Sequence, residues 1–463
     1  MSPQLSDKHV KVTIIGGGIS GLTAAFELQK SGHEVMLLEE TDRLGGKILT
    51  SKVEGFNIDA GPDSFLTRDP EMRELCFALG LGEDLVSPTG KPAKVWVNNA
   101  MHDLPRQHFL GVPLDLDELQ ELSVLTKEGV NRAKLDLTLA DNKPKEDETV
   151  GSLIRRRLGD EVMDRLVGPL LGGINAGNAD GLCLKSGVPQ LFQASQADFS
   201  LIRSIKKFLT SQNRDPSSPV FLTHPAGLQT VVERLEQQIV GNIKKNEKVT
   251  AIEASKHSMV VKASQDYETD AVILCIPAFA ASRLLANACP NTSALLSDIR
   301  YASMAFITYA FDSSEVPSFN GSGFIIGRDE GLITTACSWT SEKWAHLKGE
   351  HTTFLRMSVG RFGETKALGM KDADLLRELK DELITLTGIS ADPIATRVTR
   401  WPNSFPQYEL GHSRRVAEIR QEAAVEMPGI FLAGSPFKGI GLSACIRDGI
   451  DQAKEANNFL MKR

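Results

Sequence analysis

The chain has 463 residues, more than a single hydrophobic core usually supports, so its length predicts two or more domains. Hydrophobic residues make up 41% of the chain and charged residues 24%, as in ordinary globular proteins, and the formal net charge is −7. This mild acidity argues against nucleic acid as a partner, because nucleic-acid binding would favour a basic face.

The six cysteines are scattered and none forms a C-x-x-C pair. The pattern predicts neither a metal site nor a redox dithiol, and reduced thiols are typical of a cytoplasmic protein. The polar N-terminus leads directly into a predicted strand, so we expect no signal peptide. The most apolar stretch, 271–289, contains Pro277 and Arg283 and predicts a strand, a turn and a buried helix instead of a membrane span, which leaves peripheral membrane contact open.

A glycine-rich turn near the N-terminus is the most informative motif. A predicted strand at 11–15 leads into the G-x-G-x-x-G spacing of 16–21, and a helix is predicted from about 20 to 31. Such glycines let the backbone approach a pyrophosphate, while the helix N-terminus attracts the anion. A second predicted strand, 34–38, ends at Glu39, where a carboxylate can bind a ribose hydroxyl. The motif therefore predicts a dinucleotide site, and a glycine turn without a nucleotide is the alternative.

A second glycine pair, Gly45-Gly46, follows the ribose acid and precedes Lys47. Two adjacent glycines let the backbone pass close beneath a large ligand. A flavin needs more backbone contacts than a nicotinamide nucleotide, so the pair favours a flavin, although a simple hairpin would also explain it.

The remaining chain alternates between α/β and mixed character. The run of arginines at 155–157 predicts a solvated helix face. In chain order, the predicted elements are a helical region at 63–90, a hairpin at 94–104, helices over 114–172 with a polar interruption at 141–148, a polar domain crossing at 211–219, a helix at 229–239, strands at 249–253, 260–263 and 267–276, strands at 304–311, 323–326 and 353–359, a helix at 373–386, a strand at 429–434 and a helix at 442–460.

The motifs resemble those of the flavin-dependent protoporphyrinogen/coproporphyrinogen oxidases, specifically the soluble type of Gram-positive bacteria. The resemblance extends along the whole chain, and its first two motifs are shared with amine oxidases and carotene desaturases. The matching stretches are 16–22, 43–47, 60–66, 169–177, 400–401, 406–408, 411–412, 439–442 and 445–446.

This resemblance implies an α/β fold in which a Rossmann-like FAD-binding domain, of the amine-oxidase/desaturase type, carries an inserted mixed α+β substrate domain. The FAD-binding domain would comprise 1–90, 221–281 and 396–463, and the substrate domain 91–220 and 282–395. The implied FAD-binding residues are Gly16, Gly17, Gly18, Ile19, Ser20, Gly21, Glu39, Glu40, Gly46, Lys47, Gly61, Pro62, Asp63, Ser64, Val249, Trp401, Ile440, Gly441 and Leu442.

The implied reaction is the six-electron oxidation of a porphyrinogen to the porphyrin in haem biosynthesis, with hydride transfer to FAD and reoxidation by O2. The Gram-positive-like motifs favour coproporphyrinogen III, and protoporphyrinogen IX is the alternative. A transient contact with ferrochelatase is a further implication. No metal is implied.

The substrate carboxylates should meet arginine or lysine, because a buried carboxylate without a partner is costly. The candidates are Lys91 and Lys94, close to Ala93, which occupies the position where relatives carry an arginine. No acid–base residue is assigned. His412 and Tyr408 could approach the site, but a structural histidine is the alternative.

Two other functions compete with this interpretation. One is a different flavin oxidase, either an amine oxidase, which holds its amine between aromatic side chains, or a carotenoid desaturase. Aromatic residues make up only 6% of this chain, and the C-terminal loop offers Phe437 alone. The other is a non-catalytic flavin- or porphyrin-binding protein.

Overall fold

The computed structural model describes residues 10–139, 147–212, 218–255 and 258–463. Most of the predicted polar interruption at 141–148, and the centre of the predicted crossing at 211–219, lie outside these residues. Within the described ranges, no helix is both long enough and apolar enough to cross a bilayer.

The strands fall into two main sheets and several small ones. In chain order they are β1 (Lys11–Ile15), β2 (Glu34–Leu38), β3 (Thr50–Val53), β4 (Phe56–Asp59), β5 (Phe65–Leu66), β6 (Ala93–Val97), β7 (Ala100–Asp103), β8 (His108–Phe109), β9 (Val112–Pro113), β10 (Phe221–Leu222), β11 (Asn242–Lys244), β12 (Ala251–Ala254), β13 (Met259–Lys262), β14 (Asp266–Thr269), β15 (Ala271–Leu274), β16 (Tyr301–Asp312), β17 (Gly323–Ile326), β18 (Thr334–Ser338), β19 (Thr352–Val359), β20 (Ala395–Pro406) and β21 (Ile430–Leu432).

The helices pack against these sheets and, between residues 116 and 211, mainly against one another. In chain order they are α1 (Ile19–Lys30), α2 (Glu71–Ala78), α3 (Leu116–Glu121), α4 (Lys127–Lys134), α5 (Val150–Leu158), α6 (Asp160–Val162), α7 (Gly168–Asn175), α8 (Leu184–Gly187), α9 (Pro189–Ala194), α10 (Leu201–Ser211), α11 (Gln229–Gln238), α12 (Ala278–Leu285), α13 (Pro290–Ser297), α14 (Thr340–Lys343), α15 (Asp372–Thr387), α16 (His412–Glu426) and α17 (Leu442–Leu460).

A five-stranded parallel sheet, in the order β11-β2-β1-β15-β21, forms the Rossmann-like part of the fold. Apart from the edge strand β11, its strands are mainly apolar and buried, as expected for a parallel sheet covered on both faces. Its members come from three widely separated stretches of the chain. The last strand, β21, pairs with β15, and α17 packs against α1.

A seven-stranded sheet, in the order β20-β16-β19-β18-β17-β6-β7, forms the second part. Because side chains alternate along a strand, its two faces differ. Ile307, Leu355 and Met357 pack on one face with α15, which we call the outer face. The opposite, inner face carries Phe306 and Arg356. Strand β20 pairs with β16 along its length, so this sheet includes residues 395–406, which overlap the start of the predicted C-terminal part of the FAD-binding domain.

Two predicted elements are shorter than their patterns indicated. The helical prediction for 63–90 holds for α2 and for a short 3-10 helix at Gly82–Asp84. It is wrong at 65–66, because Phe65–Leu66 pairs with Phe221–Leu222 and forms a small sheet. The predicted strand at 267–276 is two strands, since β14 joins a small antiparallel sheet and β15 joins the parallel sheet.

The predicted solvated face at 155–157 is wrong for Arg157, whose exposed fraction is 1%. Its Nε donates to Oδ1 of Asp136, also fully buried, at 2.7 Å. The same carboxylate accepts the backbone N–H groups of Leu201 and Ile202 at 3.1 and 3.0 Å. This carboxylate therefore joins α5 to the start of α10, where the helix N-terminus favours negative charge.

We predict that Asp136→Ala lowers the free energy of unfolding by about 3–5 kcal/mol, because it leaves Arg157 charged and buried without its partner. Urea unfolding followed by far-ultraviolet circular dichroism measures the change. Asp160→Ala is the control, since that carboxylate also binds an arginine, Arg155, but its side chain is 77% exposed. We expect the control to lose less than about 1 kcal/mol, and equal losses would contradict the prediction.

Candidate cofactor and substrate site

The turn between β1 and α1 has the close contacts that its glycine spacing predicts. Gly16 has φ +104°, and a Cβ there would lie 2.6 Å from the carbonyl oxygen of Cys275. A Cβ on Gly21 would overlap the carbonyl oxygen of Gly16. A Cβ on Gly18, by contrast, would meet no described atom within 4 Å. Gly18 thus faces open space at the N-terminus of α1, where a pyrophosphate can lie.

Glu39 and the second glycine pair lie directly against this turn. Oε2 of Glu39 accepts the N–H of Gly17 at 2.8 Å, and Oε1 accepts the N–H and the hydroxyl of Thr41 at 2.9 and 2.7 Å. Oε2 therefore keeps one lone pair for a ribose hydroxyl. Gly45 donates its N–H to the carbonyl of Gly17 at 2.8 Å. A Cβ on Gly46 would lie 3.2 Å from Cα of Gly18. The two glycine motifs therefore form one continuous backbone surface.

Lys47, Gly61 and Trp401 meet on the next part of this surface. A Cβ on Gly61 would overlap the carbonyl oxygen of Lys47, and Nε1 of Trp401 donates to the carbonyl of Ala60 at 2.8 Å. Burial lowers the pKa of the Lys47 amine. This amine has no hydrogen-bond partner among the described residues, so it is available to an anionic ligand.

Tyr408 and His412 hold the C-terminal loop at 435–441 through contacts with its backbone. The Tyr408 hydroxyl donates to the carbonyl of Ser435 and accepts the N–H of Gly439 at 2.8 Å. The His412 ring stacks on Tyr408 with centroids 4.1 Å apart, and its Nε2 lies 3.3 Å from the carbonyl of Phe437. Burial lowers the pKa of His412 to about 4, so the ring is neutral near pH 7. These contacts are those of a structural histidine.

The packing of α17 against α1 holds the loop at 440–442 near the glycine turn. Oγ of Ser20 donates to the carbonyl of Cys445 at 2.9 Å, and a Cβ on Gly449 would overlap the carbonyl oxygen of Ser20. Helix α17 begins at the end of this loop, so its N-terminus lies beside that of α1. Two helix N-termini therefore converge on the same side of the parallel sheet.

The other implied FAD-binding residues have less specific positions. Ile19 and Val249 have exposed fractions of 7% and 8%, so mainly their backbone atoms are available to a ligand. Glu40 is exposed, and Pro62 and Ser64 are half-buried. Their roles stay predictions.

A charged cluster lies at the loop that contains Gly61 and Asp63. Nζ of Lys343 donates to Oδ2 of Asp63 at 2.8 Å, and Nη2 of Arg356 lies 3.3 Å from that oxygen. Burial alone would raise the pKa of Asp63, but Lys343 and Arg356 outweigh it and hold the pKa well below its usual range. Asp63 is therefore an ionised link between the loop and the seven-stranded sheet.

The structure does not bring the two predicted substrate lysines into this site. Lys91 forms an ion pair with Glu342, and Lys94 forms one with Asp103. Both amines thus have a carboxylate partner within the chain.

Strand register explains the position of Lys94. Across the sheet, Lys94 lies in one row with Cys337 and Met357, which belong to the outer face. Ala93 lies in the row of Arg356, on the inner face. Arg356 was missed from the sequence, although its alternation with the apolar residues of β19 could have identified it.

A small cavity lies where the two parts of the fold meet. Its volume is about 20 Å³, enough for about one water molecule, and its lining includes Asp59, Thr223, His224 and Trp344. Asp59 is half-buried and accepts the Thr50 hydroxyl at 2.6 Å. Burial raises the pKa of Asp59 to about 6, partly opposed by that hydrogen bond. The folded protein therefore favours the protonated carboxyl below about pH 6.

We predict that Asp59→Asn stabilises the protein above pH 6. The unfolded carboxyl ionises near its ordinary pKa of about 4. The free energy of unfolding of the wild type therefore falls as the pH rises from about 4 to 6, by on the order of 1–3 kcal/mol. The amide cannot ionise, so the variant should avoid this loss. Melting temperatures from pH 4 to 8 measure it, with Glu455→Gln as an exposed control. A constant difference at all pH values would contradict the prediction.

We predict that Gly18→Ala weakens FAD binding without disturbing the fold. The added Cβ meets no described atom within 4 Å, so it would crowd only the ligand, at a cost of roughly 1–3 kcal/mol, or about 5- to 150-fold in affinity. Titration of apoprotein with FAD measures the dissociation constant. Gly369→Ala, also with open space around its Cβ but far along the chain, is the control. A control that loses as much affinity would refute the assignment.

The donor set fits FAD. Open backbone at Gly18, the carboxylate of Glu39 and the unpartnered Lys47 amine match a pyrophosphate, a ribose and a further anionic group of one extended ligand. Among the described residues, no group of His, Cys, Asp and Glu side chains is arranged to hold a metal ion.

Comparison with known proteins agrees with this geometry. Residues 19–457 match the family described as flavin containing amine oxidoreductase. The chain is 35% identical to the coproporphyrinogen III oxidase of Bacillus subtilis, over 98% of this chain and 100% of that protein. It is 30% identical to the coproporphyrinogen III oxidase of Staphylococcus aureus, over 96% and 98% of the two chains.

A crystal structure provides the same result at the level of the fold. A provisionally named protoporphyrinogen oxidase from an Exiguobacterium species superposes with a TM-score of 0.89 and 31% identity, over 98% of this chain and 99% of that one. The chain therefore belongs to the flavin containing amine oxidoreductase family, in the group that includes the coproporphyrinogen III oxidases.

Proposed function

We propose that this FAD-dependent oxidoreductase oxidises coproporphyrinogen III to coproporphyrin III with O2 as the final electron acceptor. The observation that carries the proposal is full-length similarity to coproporphyrinogen III oxidases, in a chain whose backbone surface fits FAD. Bound FAD supplies the hydride acceptor, and the protein supplies binding and orientation.

Apolar residues on the inner face of the seven-stranded sheet support the proposal of an apolar ring substrate. Met304 pairs in register with Trp401, which contacts the loop at 60–61. Met304 also belongs to an apolar cluster with Ala176, Phe306 and Phe362. This cluster places an apolar surface beside the proposed flavin position, as a porphyrinogen ring requires.

Arginines border that cluster and are our candidates for the substrate carboxylates. The guanidinium of Arg300 lies 5.0 Å from the ring centre of Phe362, and Nη2 of Arg328 donates to the carbonyl of Gly177 at 2.9 Å. Arg300 binds Glu409 through Nε and Nη2, and Arg328 binds Glu364 and two backbone carbonyls through its two Nη atoms. Nη1 of Arg300 and Nε of Arg328 have no hydrogen-bond partner among the described residues and can donate to a further carboxylate. Their position favours them over Lys94, which faces the other side of the sheet.

We predict enzyme-dependent porphyrin formation when purified holoprotein meets coproporphyrinogen III in air. Soret absorbance and porphyrin fluorescence measure the product. We expect kcat/KM for coproporphyrinogen III to be roughly tenfold higher than for protoporphyrinogen IX, because the additional carboxylates of coproporphyrinogen III can pair with the arginines. A higher value for protoporphyrinogen IX would reverse the choice of substrate.

An anaerobic experiment separates an enzyme from a binding protein. Under the proposal, porphyrinogen bleaches the flavin absorbance and O2 restores it. A flavin that stays oxidised in the presence of porphyrinogen would support a non-catalytic binding protein. Turnover of amines without turnover of porphyrinogen would support an amine oxidase.

A further inference from the structure

Arg356 connects the inner face of the sheet to the loop that precedes and contains Gly61. It lies on β19, a central strand, and its side chain is 13% exposed. Nη1 donates to the carbonyl oxygens of Asp59 and Gly61, each at 3.1 Å. Nη2 faces Asp63 at 3.3 Å. One guanidinium thus binds this loop at three positions.

The geometry uses properties that only arginine has. A planar guanidinium can donate to several acceptors in fixed directions, whereas an ammonium is a compact point charge. The guanidinium also lies 4.7 Å from the ring centre of Phe306, which belongs to the apolar cluster of the inner face. Arg356 therefore touches both the loop assigned to FAD and a residue of the proposed substrate surface.

Arg356 and a second cation share the carboxylate of Asp63. Lys343, at the end of α14, binds the same carboxylate of Asp63, so that carboxylate keeps a partner if Arg356 is replaced. The carbonyls of Asp59 and Gly61 have no equivalent second donor from Lys343 in the described structure. Loss of Arg356 should therefore mainly release the loop backbone at the carbonyls of Asp59 and Gly61.

We propose that Arg356 is a positioning residue, which fixes the loop at 59–63 against the seven-stranded sheet and so holds the flavin and the substrate surface in register. This inference rests on the proposed function, because that function assigns the loop to FAD. It concerns FAD affinity and flavin environment, both of which are measured without porphyrinogen.

The test compares three variants as apoproteins titrated with FAD. Arg356→Met removes the charge and all donors, and Arg356→Lys keeps the charge but not the fork. Arg400→Met is the matched control, since Arg400 also joins the sheet to another element, through Asp372 and the carbonyl of Met370, but on the outer face. Flavin fluorescence gives the dissociation constant, and the visible absorption band of bound FAD reports the flavin environment.

We expect Arg356→Met to raise the FAD dissociation constant roughly tenfold or more, because charged hydrogen bonds to two carbonyls are lost. Arg356→Lys should restore part of this affinity, and both variants should alter the shape of the flavin absorption band. Arg400→Met should bind FAD as the wild type does. Wild-type affinity and spectrum in both Arg356 variants would overturn the inference, as would equal losses in Arg400→Met.

Folding is monitored in parallel through the melting temperature of each apoprotein. If Arg356→Met does not fold, Arg356→Lys decides, and an unchanged dissociation constant and spectrum in it would overturn the inference. Absence of porphyrin formation by the wild type, with these FAD effects intact, would instead refute the proposed substrate alone.

Discussion

Close contact between backbone segments is the constraint on which the site depends. The turn at 16–18 touches the pair Gly45-Gly46, and Gly61 touches the backbone of Lys47, at distances that leave little or no room for side chains. The ligand surface is therefore made largely of peptide groups beside the N-termini of α1 and α17, which suits a pyrophosphate because N–H donors and the helix dipoles both favour an anion. Side chains such as Glu39 and Lys47 then add charges at the edges of that surface.

The seven-stranded sheet solves a different problem, because it must present two surfaces with opposite requirements. Its outer face packs against α15 and holds the sheet together through ordinary apolar contacts. Its inner face carries Phe306 and the charged residue Arg356, whose guanidinium lies over the Phe306 ring and binds the loop that contains Gly61. A one-residue change of register would exchange these faces, so strand pairing itself decides which residues reach the site.

This dependence on pairing explains what the sequence could and could not predict. Strand β2 and helix α17 have the predicted bounds, because glycines and apolar periodicity mark them locally. The face of Lys94 depends on the pairing of β6 with β17, more than 200 residues away. Arg157 and Asp136 similarly lie 21 residues apart, and no local pattern links them. Most of the glycine surface could thus be predicted, whereas the contacts of Arg356 and Lys343 with the loop at 59–63, and the bracing role of Tyr408, required the tertiary structure.

The position of α17 has a consequence for how the protein matures. Helix α1 is synthesised early, yet the hydrogen bond from Ser20 to Cys445 joins residues 425 positions apart. Strand β21 and α17 complete the parallel sheet and its cover, and such distant pairings form late because loop closure must precede them. The parallel sheet and the packing of α17 against α1 are complete only after residues 430–460 have left the ribosome. Until then β15 lacks its neighbour β21, and an unpaired strand edge can pair with another chain.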